Sequence, residues 1–413
     1  HCDALLNIFP PLFLGDFQRL EKLIVTDCAS LEEVFQLQVR VLDIVEACIV
    51  TSELRHVKLF RLPKLKHVWN KDSKENISFK NLREVHVQEC WSLKTLFPFS
   101  TAKYLQQLKS LVIDSCGVEE IISKRVEGSN KHEILFEFNQ LFFLALWNLP
   151  NLVCFYPGMH KITCPMLKRL RTYSPTKIKK FGHVLSQILL IEKIEMVNCN
   201  FKELSPYEGD VGEERDVTML LPRISQLTLK GVDKMTHLWK QGSPLHHICA
   251  NLETLEVYMC GSLTNITRAS SSLRNLTTLE VWYCKEMVEL ITSSKAQCLE
   301  QLVTLKIDGC RMMREVIASD GDETTYDEII FKELKYSELY DLQNLKSFCS
   351  GNYTLKFPSL DELYVSKCPA MENFGNGGLS TPKLQELQTR WDVRRCWDLN
   401  ATIEQLNKEG TEY

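Results

Sequence analysis

Nowhere in this sequence do about eighteen apolar residues follow one another, so no segment reads as a membrane-spanning helix. Charge of one sign is lacking too. The 49 basic and 53 acidic residues nearly cancel, leaving a net charge of −4. A general nucleic-acid binder would need a basic excess to meet the phosphate backbone, so none is expected. There is no G-x-x-x-x-G-K-[ST] phosphate loop, no G-x-S-x-G, no H-E-x-x-H and no glycine-rich dinucleotide fingerprint. Without these, a non-enzymatic chain with no cofactor and no metal of its own is expected. Sixteen cysteines are present, but no C-x-x-C pair, which argues against a zinc or redox motif. Their density also lies below that of disulfide scaffolds. The chain opens on His1 rather than methionine, as a fragment or a processed product would.

A length of 413 residues exceeds what one globular core usually supports. A repeat array escapes that limit, because each unit needs only its neighbours. Self-similarity is present. Leu82-Arg-Glu-Val85-His-Val87-Gln-Glu-Cys90-Trp-Ser-Leu93-Lys-Thr-Leu96 matches Leu252, Leu255, Val257, Cys260, Leu263, Ile266, and again Leu302, Leu305, Ile307, Cys310, Met313, Val316. The pattern is L-x-x-L-x-[VIL]-x-x-C-x-x-[LM]-x-x-apolar. Its first position falls at Leu20, Leu54, Leu82, Leu108, Leu141, Leu167, Ile191, Ile224, Leu252, Leu276, Leu302, Leu334, Leu360 and Leu384. The mean step is about 28 residues, inside the leucine-rich-repeat range, though individual steps scatter.

The L-x-[VIL] core alternates with period two, as a strand does. The reading is an α/β-type repeat solenoid: an irregular leucine-rich-repeat horseshoe with a parallel β-sheet on the concave face. Residues 1–390 make about fourteen repeats, and 391–413 a C-terminal cap or tail in which Thr402-Ile-Glu-Gln-Leu-Asn-Lys starts to read as a short helix. The ninth position is cysteine at Cys28, Cys90, Cys116, Cys199, Cys260, Cys284, Cys310 and Cys368, and Leu62, Leu149, Pro175, Val232 or Leu342 elsewhere. A small hydrophobe with a weak S–H donor suits a half-polar turn interior. These thiols are expected reduced, pointing inward in parallel.

Polar stretches at Ser123–Glu133, Ser205–Thr218 and Ala318–Glu328 read as loops on the far side of the sheet. The segment Gln36–Ser52 holds a possible degenerate repeat. The adjacent His246-His247 pair reads as solvated, and the sequons at Asn76, Asn265, Asn275, Asn352 and Asn400 as chance matches.

Outward strand positions are the third, fifth, seventh and eighth. The seventh is aromatic in six of fourteen repeats, at Phe60, Trp147, Tyr173, Tyr258, Trp282 and Tyr340, against 9% aromatics overall. Exposed aromatics on a rigid sheet are typical protein-binding anchors. The fifth position shifts from Lys58, His86 and Arg171 to Glu195, Glu256, Glu280 and Glu338, with Lys306 as the exception. The expected protein-binding face therefore comprises Tyr258, Trp282, Tyr283, Glu256 and Glu280, with Trp147, Tyr173 and Tyr340. Its partner would be basic and apolar. The other reading is that aromatics fill these places for strand propensity and cross-strand packing.

The run Cys90-Trp-Ser-Leu-Lys-Thr-Leu-Phe-Pro-Phe-Ser-Thr-Ala-Lys-Tyr-Leu-Gln-Gln-Leu108 resembles the C-terminal repeats of plant coiled-coil, nucleotide-binding, leucine-rich-repeat disease-resistance proteins. So do Cys116-Gly-Val-Glu-Glu-Ile-Ile122, Phe155-Tyr-Pro-Gly158, Cys164-Pro-Met-Leu-Lys168, and the Leu-Pro-x-Leu-x-x-[VF]-[WY] phrase at Leu62–Trp69 and Leu149–Tyr156. The resemblance implies a cytoplasmic immune receptor whose repeats sense a pathogen effector or a guarded host protein. They would also restrain a nucleotide-binding domain of the same polypeptide. ADP or ATP is expected only in that domain, which is absent from this sequence; Met159-His160-Lys161 lacks the aspartate of the family's switch motif. The alternatives are the substrate-recruiting arm of an F-box ubiquitin-ligase protein and an extracellular receptor ectodomain. The scattered repeat lengths and the x-x-Leu-x-x-Leu after the cysteine disfavour the first. The absence of Leu-x-Gly-x-Ile-Pro phrases and paired capping cysteines disfavours the second.

Overall fold

The computed structural model describes residues 2–9, 19–35, 50–69, 77–123, 135–157, 161–173, 192–199, 224–238, 251–266, 273–319, 328–390 and 392–409. Outside them lie Asn76, Ile191, Pro175, the Ser205–Thr218 loop, His246-His247, Met159-His160, most of Gln36–Ser52, and the interiors of the other two polar loops. Among the described residues no helix is long and apolar enough to cross a membrane.

The chain forms two compact units, 1–192 and 193–413. In the first, the strands Lys22–Thr26, His56–Phe60, Glu84–Gln88, Ser110–Asp114, Phe143–Trp147 and Arg169–Tyr173 pair in parallel, each with the next. In the second, Lys193–Val197, Gln226–Lys230, Thr254–Tyr258, Thr278–Trp282, Thr304–Asp308, Tyr336–Tyr340, Glu362–Ser366 and Glu386–Gln388 do the same. Nearly every one of these strands covers the third to seventh positions of a repeat. The register is unstaggered, so each position pairs with its equivalent in the next repeat.

Alternation sets the core. In one repeat Leu82, Val85, Val87, Cys90, Leu93 and Leu96 are all at most 1% exposed. Burying each such apolar side chain contributes roughly 1.5–3 kcal/mol. Among the described residues the returning segments hold two single turns of helix, Phe99–Ala102 and Ser293–Ala296, and short parallel pairs such as Thr95–Phe97 with Glu120–Ile122. Aromatics stack along this side, Phe35 on Trp69 and Phe348 on Phe374, with ring centroids 5.3 and 4.6 Å apart. The terminal Trp69 and Tyr156 of the Leu-Pro-x-Leu phrases are thus buried core residues.

At the C-terminus, Val393–Arg395 pairs antiparallel with Glu386–Gln388. The helix Leu399–Glu409 then buries Leu399, Ile403 and Leu406. Asn400 accepts from the Phe374 amide (2.7 Å) and donates to the Gly375 carbonyl (2.9 Å), while Asn407 donates to the Met371 carbonyl (2.8 Å). The helix so covers backbone groups of the last repeats.

The turn after each strand has one geometry. The eighth residue is left-handed in all twelve described repeats: Asp27, Arg61, Glu89, Ser115, Asn148, Asn198, Gly231, Met259, Tyr283, Gly309, Asp341 and Lys367, with φ between 46° and 64°. This turns its N–H onto the seventh-residue carbonyl of the next repeat, as from Met259 to Trp282 (2.8 Å) and from Tyr283 to Asp308 (2.7 Å). The ninth-position thiol donates to the seventh carbonyl of its own repeat at all eight cysteines, at 3.1–3.7 Å. The described cysteines form no disulfides with one another. Burial pushes the Cys368 thiol up to about 12, so it stays protonated and able to donate. The stacked turns also meet at sulfur, the Cys284 amide donating to Cys310 Sγ at 3.4 Å.

Left-handed backbone costs a residue with a Cβ roughly 1–2 kcal/mol. Gly309→Ala is therefore expected to lower stability by at least about 1 kcal/mol, since its Cβ would also lie 2.2 Å from Tyr283 Cδ1. Glu89→Gly is expected to raise it by up to about 1 kcal/mol, part of the gain being lost to unfolded-chain entropy. Urea midpoints should move in opposite directions; movement of both the same way would refute the assignment of strain. Ser337 occupies an inward fourth position that is otherwise Leu, Val or Ile, is 1% exposed, and its hydroxyl has no partner. Ser337→Val should stabilise by about 1–3 kcal/mol in the same assay, and an unchanged or lowered midpoint would contradict this.

Candidate protein-interaction face

The solvent face of the second unit is built from two rows of side chains. Along the fifth positions run Thr228, Glu256, Glu280, Lys306, Glu338 and Tyr364, each opposite the next. In sequence the glutamates read as an acidic patch, but each is engaged. Thr228 Oγ1 donates to Glu256 (2.9 Å), and Tyr258 OH donates to Glu280 (3.3 Å). Lys306 Nζ lies 3.2 Å from Glu280, and Tyr336 OH donates to Glu338 (2.9 Å). Unstaggered stacking brings Glu256 and Glu280 within reach of partners one repeat away, while Glu338 meets Tyr336 on its own strand, and the Lys306 charge offsets part of the negative charge the face presents. Burial, followed by Glu256 and Glu280, pushes the Tyr258 hydroxyl up to about 12 and keeps it a donor.

The seventh positions carry Lys230, Tyr258, Trp282, Asp308, Tyr340 and Ser366. Tyr258 and Trp282 stack, centroids 6.0 Å apart and 22° from parallel, and Lys230 Nζ sits 4.8 Å from the Tyr258 ring centre. Lys367 Nζ lies 5.0 Å from the Tyr340 ring centre, and the Tyr340 hydroxyl accepts from Arg390 Nη1 at 3.4 Å. Beyond this row, the left-handed Met259 and Tyr283 are 60% and 46% exposed. They form an apolar rim.

Asp308 was legible only as one more outward residue, yet it is 6% exposed and its Oδ1 has no partner. Burial, then the neighbouring Glu338 and Asp341, raise its carboxyl to about 6; a hydrogen bond from Tyr283 and the charge of Lys367 oppose this. For Asp341, burial works upward, but hydrogen bonds from Arg311 (2.8 Å) and Gln343 (2.7 Å) hold it low.

Of the residues expected to bind, Tyr258, Trp282, Tyr283, Glu256, Glu280 and Tyr340 share this unit's face. Trp147 and Tyr173 are neighbours of one another in the first unit. There Tyr173 is 40% exposed beside the exposed Arg169 and Arg171. His86 is held below the usual imidazole range, by burial first and Lys58 second, so it adds little to the basic trend. Met259, Asp308, Tyr336 and Tyr364 were missed. Among the sequons, Asn265 is 3% exposed and donates to Glu289, so it leaves no room for a glycan. Among the described residues no group of three His, Cys, Asp or Glu could hold a metal ion.

Residues 1–117 and 267–396, together more than half the chain, match the family of plant disease resistance protein RPS2-like leucine-rich repeats. No curated protein matches. Among solved structures, the chain is similar to TLR13 in its complex with ssRNA13, at 14% identity, with 93% of this chain and 64% of that chain covered and a TM-score of 0.29. It is also similar to the plant peptide hormone receptor RGFR1 in complex with RGF2, at 12% identity, 90% and 76% coverage and a TM-score of 0.23. The chain thus spans less than two thirds of the first of these. With its parallel sheet, repeated turn and matched residues, the chain belongs to the RPS2-like leucine-rich-repeat family of plant disease resistance proteins.

Proposed function

We propose that this repeat domain is the recognition and restraining module of a cytoplasmic plant immune receptor. It senses a pathogen effector or a guarded host protein through the solvent face of its sheet, and it holds a nucleotide-binding domain of the same polypeptide at rest. It performs no catalysis, and ADP or ATP belongs to that other domain. Family membership supports the immune setting. The observation that carries the recognition role is the stacked Tyr258–Trp282 pair with exposed Met259 and Tyr283 beside it, on strands fixed by continuous ladders. Rigid aromatics lose little conformational entropy on binding, and such clusters dominate interface energetics.

Trp282→Ala and Glu280→Lys should each weaken binding to the protein partners that the wild-type receptor engages in plant cells by at least about tenfold. Thermal midpoints should shift by only a few degrees. Full wild-type affinity in both variants, for every partner, would overturn this reading.

A further inference from the structure

The second unit's face contains a place where the chain's own groups do not close their interactions. Among the described residues, three buried side-chain polar atoms with no hydrogen-bond partner lie along the single row of seventh positions: Trp282 Nε1, Asp308 Oδ1 and Ser366 Oγ. Trp282 and Tyr340 stand directly opposite Asp308 on the strands either side of it, and Ser366 stands opposite Tyr340. Each such atom left unmet opposes folding, because its lost hydration is not replaced. Tyr283 lies over the bare backbone of Gly309, where even a methyl group would collide with its ring, and hydrogen-bonds Asp308. Its half-exposed side chain lies against that carboxyl.

Carboxylates crowd Asp308. Glu338 and Asp341 face it from the next strand and its turn, against Tyr283 as donor and Lys367 as a cation that lowers it, while Arg390 reaches the Tyr340 hydroxyl. Lys306 on its own strand is committed to Glu280, and Arg311 to Asp341.

We propose that Asp308, walled by Trp282 and Tyr340 and covered by Tyr283, is a socket for an arginine side chain of the partner protein. The inference rests on the protein-recognition reading above and names the chemistry of the partner. A guanidinium fits better than an ammonium: it stacks on aromatic faces while its fork of N–H groups donates to a carboxylate. The residue bearing it supplies backbone carbonyls, which suit the donor Trp282 Nε1. Tyr283 swings aside as the guanidinium takes over its hydrogen bond to Asp308.

The test is selection from a random linear peptide library on the whole chain, followed by calorimetry on one recovered peptide. Arginine should be enriched at one fixed position. Asp308→Asn in the protein and arginine→citrulline in the peptide should each reduce affinity at least tenfold, with little further loss when combined. Affinity should also fall as pH is lowered through about 6, where Asp308 takes up its proton. Without peptide, Asp308→Asn should melt above wild type at pH 7. The folded-state pKa is raised, so the penalty is present above it and fades as pH falls from about 6 towards 4. Peptides lost on Trp282→Ala but indifferent to both Asp308→Asn and citrulline would overturn the socket and leave recognition by this face standing. Peptides indifferent to Trp282→Ala as well would overturn both.

Discussion

The carbonyl of the seventh residue is the group on which the remaining geometry depends. It receives the eighth-residue N–H of the preceding repeat and, where the ninth residue is cysteine, the thiol of its own. Trp282 illustrates this, accepting from Met259 N–H at 2.8 Å and from Cys284 Sγ at 3.7 Å. A carbonyl has two lone pairs, and both are then used. The first bond requires the eighth residue to turn left-handed, and the second requires a small donor pointing inward two residues further on. Together they end the strand at one place in every repeat, however long the return segment is. Repeats with Leu62, Leu149, Val232 or Leu342 keep only the first bond, and hydrophobic burial holds the turn there.

Once each strand ends at the same position, equivalent residues stack without stagger. One letter in one repeat then becomes one square of a surface grid. Inward letters are constrained by packing, and outward letters are free to carry chemistry. The same stacking explains why the face is less acidic than its composition. Glu280 has Lys306 opposite it because the two strands share a register, although 26 residues separate them.

Much of this was legible in sequence because a period-two core with an apolar return repeats fourteen times. Any one weak match is supported by its neighbours. The turn cysteine was legible for the same reason, and its predicted role as an inward donor is the one its sulfur performs. The left-handed eighth position was not legible. Asn148, Asn198, Gly231 and Gly309 tolerate it, but Arg61, Met259, Tyr283 and Lys367 give no such signal. The burial of Asp308 was equally hidden. It follows from Tyr283 lying over Gly309, a contact between residues in successive repeats that no periodicity encodes.

These hidden residues bear on where the face works. A turn that demands left-handed backbone is met most cheaply by glycine or asparagine, and this chain uses them in four repeats. At Met259 and Tyr283 it holds large apolar side chains in that conformation and leaves them exposed. One strand away it buries a carboxyl with an unmet oxygen beside an indole with an unmet N–H. Each choice lowers the stability of the isolated domain, and packing of the repeats requires neither. Strain and unmet polar groups tend to collect where a protein engages something else, because the partner supplies what the fold withholds. The first unit has left-handed residues at the same turns, but among its described residues it does not combine them with unpartnered polar atoms on the solvent face. We therefore propose that recognition uses the rows from Tyr258 to Ser366.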